Sequence, residues 1–161
     1  TVTIAAVLAA GLGLGSLMLR GQDSKLQPIS QQATVAAPGK PAALTATLSA
    51  DTRQEKADRR VFLTVAVAAY APPPKGALEA IVKVATPADP TKREIGRFGV
   101  FPNAAFNTEK IGKPQRFRFE VPTCKADETT CTLNIEIEVV STVAESSGAQ
   151  MTISDAILTR Q

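Results

Sequence analysis

Two cysteines are the side chains of this 161-residue sequence whose type and spacing nominate a particular bond. Cys124 and Cys131 flank Lys125-Ala126-Asp127-Glu128-Thr129-Thr130, a polar turn between two strand-like runs, and that spacing suits a disulfide pinning a hairpin. Closing so short a loop stabilises a fold by roughly 2.5 kcal/mol, because it removes freedom from the unfolded chain. Such bonds persist in oxidising compartments, so the pair also places the domain outside the cytoplasm. Free thiols and a metal site are the rivals. With two cysteines and no histidine, a metal could complete a tetrahedral shell only by recruiting carboxylates.

Carboxylates supply the next candidate chemistry. Glu136 and Glu138 stand two apart on one strand and face the same way, as do Arg116 and Arg118 on another. If those strands are neighbours, ion pairs across the sheet surface are expected, each worth little. A general acid and base pair is the catalytic rival, and no enclosing pocket is signalled around it. Asp89, Asp127 and Asp155 stand singly in turns or near strand ends, without the ligand spacing of a calcium loop. The absence of histidine removes imidazole acid–base work, Ser-His and Cys-His nucleophile pairs, and the commonest ligand of zinc, copper and haem. No catalytic, cofactor-binding or metal-binding residue is therefore nominated, and a non-enzyme without cofactor is expected.

The 18 basic and 15 acidic residues are interspersed and leave a formal charge of +3. Lys92-Arg93 and Arg59-Arg60 are short runs without interleaved aromatics, while Arg116 and Arg118 alternate with Phe as the wet face of a strand would. No nucleic-acid partner is expected from this pattern.

These residues must be held by an anchor, a linker and a β domain. Residues 1–19 carry no charge and are long enough for one transmembrane helix, so a span over 1–20 is expected, with the bilayer as a partner. A cleavable signal peptide is the rival; no basic residue stands before the apolar run, and no small-residue cleavage pattern follows it directly. Gly11 and Gly15 are spaced to bare one helix face for close packing against a neighbouring membrane helix. Gly11, Gly13 and Gly15 have no strand before them and do not read as a nucleotide loop. Arg20 and Lys25 after the span would by themselves put the remainder in the cytoplasm, but the cysteine pair decides for the periplasm or the cell exterior. Residues 21–42 are rich in Gln, Ser, Ala and Pro without a hydrophobic period, and predict an extended linker.

Residues 43–161 predict an all-β, antiparallel sandwich of about seven strands. The expected strands are Leu44 to Ser49, Arg60 to Tyr70, Leu78 to Ala85, Glu94 to Phe101, Arg116 to Val121, Thr132 to Val140 and Gln150 to Leu158. Strict alternation is clearest in Phe117, Phe119 and Val121, and in Leu133, Ile135, Ile137 and Val139. Ala71-Pro72-Pro73-Pro74 ends the second strand, since proline cannot supply ladder hydrogens. The polar stretch Asp51 to Asp58 reads as a loop or one helical turn. Phe101, Pro102, Phe106 and Ile111 form an apolar loop cluster that either plugs the core or contacts a partner.

Several segments together resemble the small C-terminal β domain of the tyrosinase and polyphenol oxidase family. They are Lys75-Gly76-Ala77-Leu78, Glu94-Ile95-Gly96-Arg97-Phe98-Gly99-Val100-Phe101 and Arg116-Phe117-Arg118-Phe119-Glu120-Val121; Leu133 to Val139 and Gln150-Met151-Thr152-Ile153 are similar to that domain's last two strands. The likeness covers roughly residues 60–160 and none of the copper-binding part, which the family builds from histidines. It implies an accessory domain without its enzyme, docking on a separate polypeptide, and suggests a redox or photosynthetic assembly as host. The expectation is a non-catalytic accessory or stabilising subunit of a membrane complex, in contact with other subunits. A free-standing module that binds a small ligand, carbohydrate or lipid is the alternative.

Overall fold

The computed structural model describes residues 33–48, 60–124 and 130–160. The span expected over 1–20 with Gly11 and Gly15, the linker as far as residue 32, the 51–58 loop and Asp127 lie outside the described residues. Among the described residues, no helix is long and apolar enough to cross a membrane.

Among the described residues, nine strands and one short helix follow in order. They are β1 (Thr34–Ala36), β2 (Ala42–Leu48), β3 (Val61–Ala71), β4 (Leu78–Ala85), β5 (Arg93–Gly99), β6 (Phe106–Asn107), α1 (Thr108–Ile111), β7 (Gln115–Glu120), β8 (Cys131–Ser141) and β9 (Gln150–Arg160). One sheet runs β1-β9-β3, with β6 and β7 sharing the far side of β3; the other runs β2-β8-β4-β5. Every pairing between these strands is antiparallel. The all-β sandwich is thus the observed fold.

Side-chain alternation explains why the sheets face one another. β2 alternates buried and exposed residues throughout, and Leu133, Ile135, Ile137 and Val139 of β8 are all buried. They meet Leu63, Val65 and Val67 of β3 and Met151, Ile153 and Leu158 of β9 in one core of branched aliphatics. Such residues suit a pleated, half-buried surface. Phe98 of β5 stacks on Phe117 of β7 at 4.1 Å between ring centroids and lies 6.0 Å from Phe119, which seals one side of the sandwich between two edge strands. Gly96 makes room for this seal: a Cβ there would stand 2.6 Å from the Phe119 ring. Gly96→Ala is expected to cost about 1–3 kcal/mol by overpacking, read from the urea midpoint.

Two expectations are revised. The linker does not extend to residue 42: Thr34–Ala36 joins the first sheet against β9, and Pro38 bridges to Val139. Nor do Arg116 and Arg118 oppose Glu136 and Glu138, because β7 and β8 belong to different sheets. Arg118 instead lies over the Phe62 ring, 3.8 Å from its centroid. Glu138 pairs with Lys83 at 2.5 Å and Glu136 with Lys92, on the outer face of the second sheet.

That face sets the expected pH response. The hydrogen bond that Lys83 donates to the Glu138 carboxylate holds its pKa above the ordinary value of 10.5, despite partial desolvation. Hydrogen bonding by Arg97 lowers Glu94 below 4.5, and hydrogen bonds from Thr91 lower Asp89 below 3.8. A raised lysine contributes at every pH below its unfolded value, and that contribution is lost as pH climbs through the folded one. Lowered carboxyls contribute above their unfolded values and lose that contribution as pH falls through the folded ones. The urea midpoint should therefore be flat from about pH 5 to about pH 10 and fall on both sides. Lys83→Met should remove part of the alkaline fall only.

Candidate partner-contact site

The most exposed aromatic side chain among the described residues is placed by the most buried one. Tyr70 is the single tyrosine of the chain and lies near the end of β3. Val61, Leu63, Val65 and Val67 point inward, and an irregularity around Ala68 changes the phase so that Tyr70 also points inward, 2% exposed. A buried phenol must satisfy its hydroxyl. Tyr70 Oη donates to Asn103 Oδ1 at 2.6 Å and accepts from the Leu78 amide at 3.3 Å, while Asn103 Nδ2 donates to the Gly76 carbonyl at 2.7 Å.

These bonds tie the 72–77 loop to the 100–105 loop. The 142–149 loop joins them through Thr142, whose Oγ1 accepts from the Ala77 amide at 2.8 Å and whose amide donates to the Ala77 carbonyl at 3.0 Å. Gln115 Nε2 donates to the Phe101 carbonyl at 3.0 Å. One pole of the sandwich is therefore a braced set of three loops.

Phe101 projects from this pole, 86% exposed, and Pro102, Ala104 and Ala105 beside it are exposed as well. Phe106 does the opposite: it is half-buried against the core, its ring 6.3 Å from that of Tyr70. The apolar loop cluster is thus divided, with Phe101 and Pro102 outward and Phe106 inward. Ile111 closes α1, which Asn107 caps by accepting from the Glu109 amide, and its side chain lies outside the described residues. Tyr70 and Asn103 were not singled out by spacing. Their signal was chemical: a lone phenol ending an apolar strand has to find a polar partner.

Removing the hydroxyl tests the brace. Tyr70→Phe should cost about 1–2 kcal/mol, since it leaves the buried Leu78 amide unpaired. Amide exchange at residues 101–104 should accelerate while that of β8 stays slow.

At the other pole Cys124 and Cys131 form the expected disulfide, with Cα atoms 5.7 Å apart. It joins the turn after β7 to the first residue of β8 and so stitches the two sheets together, with both cysteines buried. Asp89 shapes a turn, its Oδ1 accepting from the Thr91 amide at 3.0 Å, and Asp155 lies in β9. Among the described residues, no three His, Cys, Asp or Glu side chains are grouped to hold a metal ion. A shallow cavity of about 350 Å³ on the second sheet is lined by Ala43, Thr45, Ala85, Lys92, Asn134 and Glu136, among others, and the ion pair of Lys92 with Glu136 lies across it.

Fold and contacts define the class as a disulfide-bonded antiparallel β-sandwich with one braced loop pole. Compared with known proteins, the chain matches no family model and has no significant match among curated proteins.

Proposed function

We propose that this chain is a non-catalytic accessory subunit of a membrane complex. In this reading residues 1–19 anchor it in the bilayer, and the sandwich stands in the periplasm or outside the cell, docked on another subunit. The observation that carries it is Phe101: a large aromatic, 86% exposed, on a loop whose neighbours are fixed by the Tyr70 and Asn103 hydrogen bonds. An exposed aromatic held in place loses little freedom when it enters a partner's pocket, which is how anchor residues concentrate binding energy. The uncharged run at 1–19 supports the anchor, and the disulfide supports an oxidising compartment. The resemblance to an oxidase accessory domain supports docking on a separate polypeptide and a redox or photosynthetic host.

The test is co-purification from native membranes in mild detergent. Wild type should carry a stoichiometric partner. Phe101→Ala should weaken that association by on the order of thirtyfold or more while leaving the melting temperature unchanged. A chain extracted alone, or a partner retained equally by Phe101→Ala, would overturn the reading. A lone monomer that is stabilised by a small ligand would favour the binding module instead.

A further inference from the structure

β7 pairs with β3 on one side, and among the described residues no backbone hydrogen bond reaches its other side. The phase of its ladder is set by the Val121 amide, which donates to the Val61 carbonyl at 2.8 Å. Antiparallel partners alternate between pairs that exchange hydrogen bonds and pairs that do not, so Phe119 with Leu63 and Phe117 with Val65 are bonded pairs. Arg116, Arg118 and Glu120 therefore turn their N–H and C=O groups away from β3, toward the free edge.

The side chains of this edge are two-sided as well. Phe117 and Phe119 pack against the core yet are only partly buried, while Arg116 and Arg118 on the other face are exposed. Neither arginine has a carboxylate partner among the described residues, and Arg118 rests on the Phe62 ring. On β5, the edge strand across the sandwich, the cations are already engaged: Arg97 by Glu94 and Glu79, Arg93 by Asp89.

We propose that the β7 edge accepts an extended, acidic segment of another protein as an added strand. Complementarity fixes the occupant. Residues directly opposite one another in a sheet share a face, so a strand laid along β7 sets alternate side chains against Arg116 and Arg118 and the rest against Phe117 and Phe119. Glutamate alternating with an aliphatic residue meets both demands: its carboxylates pair the two arginines, and its apolar side chains cover the two rings. The main chain supplies the affinity, and the alternation supplies the choice of partner. Charge at a sheet edge also repels like strands. A second copy of β7 would set arginine against arginine, which disfavours self-pairing and leaves the edge to an unlike strand.

The proposal does not rest on the docking role of Phe101. Its test uses the full chain in mild detergent and a synthetic peptide with the core Val-Glu-Val-Glu-Val, which reads the same in both directions. The peptide should slow amide exchange at residues 116 and 118 on the order of tenfold and leave residues 117 and 119, already bonded to β3, unchanged. The double variant Arg116→Glu with Arg118→Glu should lose this protection and regain it with Val-Lys-Val-Lys-Val. Methylating the peptide amides that face β7 should abolish it, because the added ladder then lacks its donors. Phe101→Ala should leave the protection intact, which separates failure of this proposal from failure of the docking reading. The proposal is overturned if the glutamate peptide gives no protection, or if the lysine peptide protects the wild type equally. Stronger protection by a single-stranded oligonucleotide would mark a general polyanion surface and overturn it too, as would protection by a second copy of the chain that is lost on dilution.

Discussion

Gly76→Ala should lower the stability of the domain by about 3 kcal/mol and release the braced pole. Two independent costs meet at this position. Its φ of 83° lies in the left-handed region, which a residue with a Cβ adopts reluctantly. A Cβ there would also stand 2.6 Å from Thr142 Oγ1 and 2.7 Å from Val143 Cγ1. Thr142 cannot swing aside without losing the Ala77 amide it accepts from, and Val143 is stiff at its branched carbon. Because the Gly76 carbonyl also receives Asn103 Nδ2, any shift passes to the loop that carries Phe101. Urea unfolding measures the first effect, and amide exchange at residues 101–104 measures the second. A variant as stable as wild type, with unchanged exchange, would show that the pole is not braced through this glycine.

Reducing the disulfide, or replacing both cysteines by alanine, should cost about 2.5 kcal/mol and roughly 10 °C in melting temperature. The entropic part follows from the sequence separation of 7 between Cys124 and Cys131. The placement adds a packing consequence, because the two residues are only 7% and 4% exposed and belong to the core cluster. Double replacement with serine should therefore cost more than with alanine, since buried hydroxyls would need partners. Thermal scans with and without reductant, compared with both double variants, check the ordering. Equal stability of oxidised and reduced chains would reduce the bond to a marker of compartment.

Alternation was legible wherever a strand was long enough to show it. Seven expected strands correspond to β2, β3, β4, β5, β7, β8 and β9, with bounds within two residues. β1 and β6, of three and two residues, are too short to show a period. β1 was further hidden because Ala36-Ala37-Pro38-Gly39 has the composition of a turn. Which strands are neighbours was not legible: the charges of β7 and β8 look complementary, yet the chain routes those strands into opposite sheets. Which members of the loop cluster turn inward was not legible for a related reason. Periodicity assigns faces within a strand, but outside one, the direction of Phe101 depends on Asn103 and Tyr70, residues brought together from distant parts of the sequence.

The hydrogen bonding of Tyr70 makes the two poles unequal hosts for foreign sequence. At the tyrosine pole one phenol and one threonine serve three loops, so a peptide grafted into any of them would disturb the other two. The first part of the turn between β4 and β5 is closed by its own bonds: the Thr86 amide donates to the Asp89 carbonyl at 3.0 Å, and the Asp89 amide donates to Thr86 Oγ1 at 2.9 Å, with only Lys92 at its far end reaching another strand, at Glu136. An epitope or affinity tag inserted there should leave the scaffold undisturbed, and display could be added to this domain without touching the surface that presents Phe101.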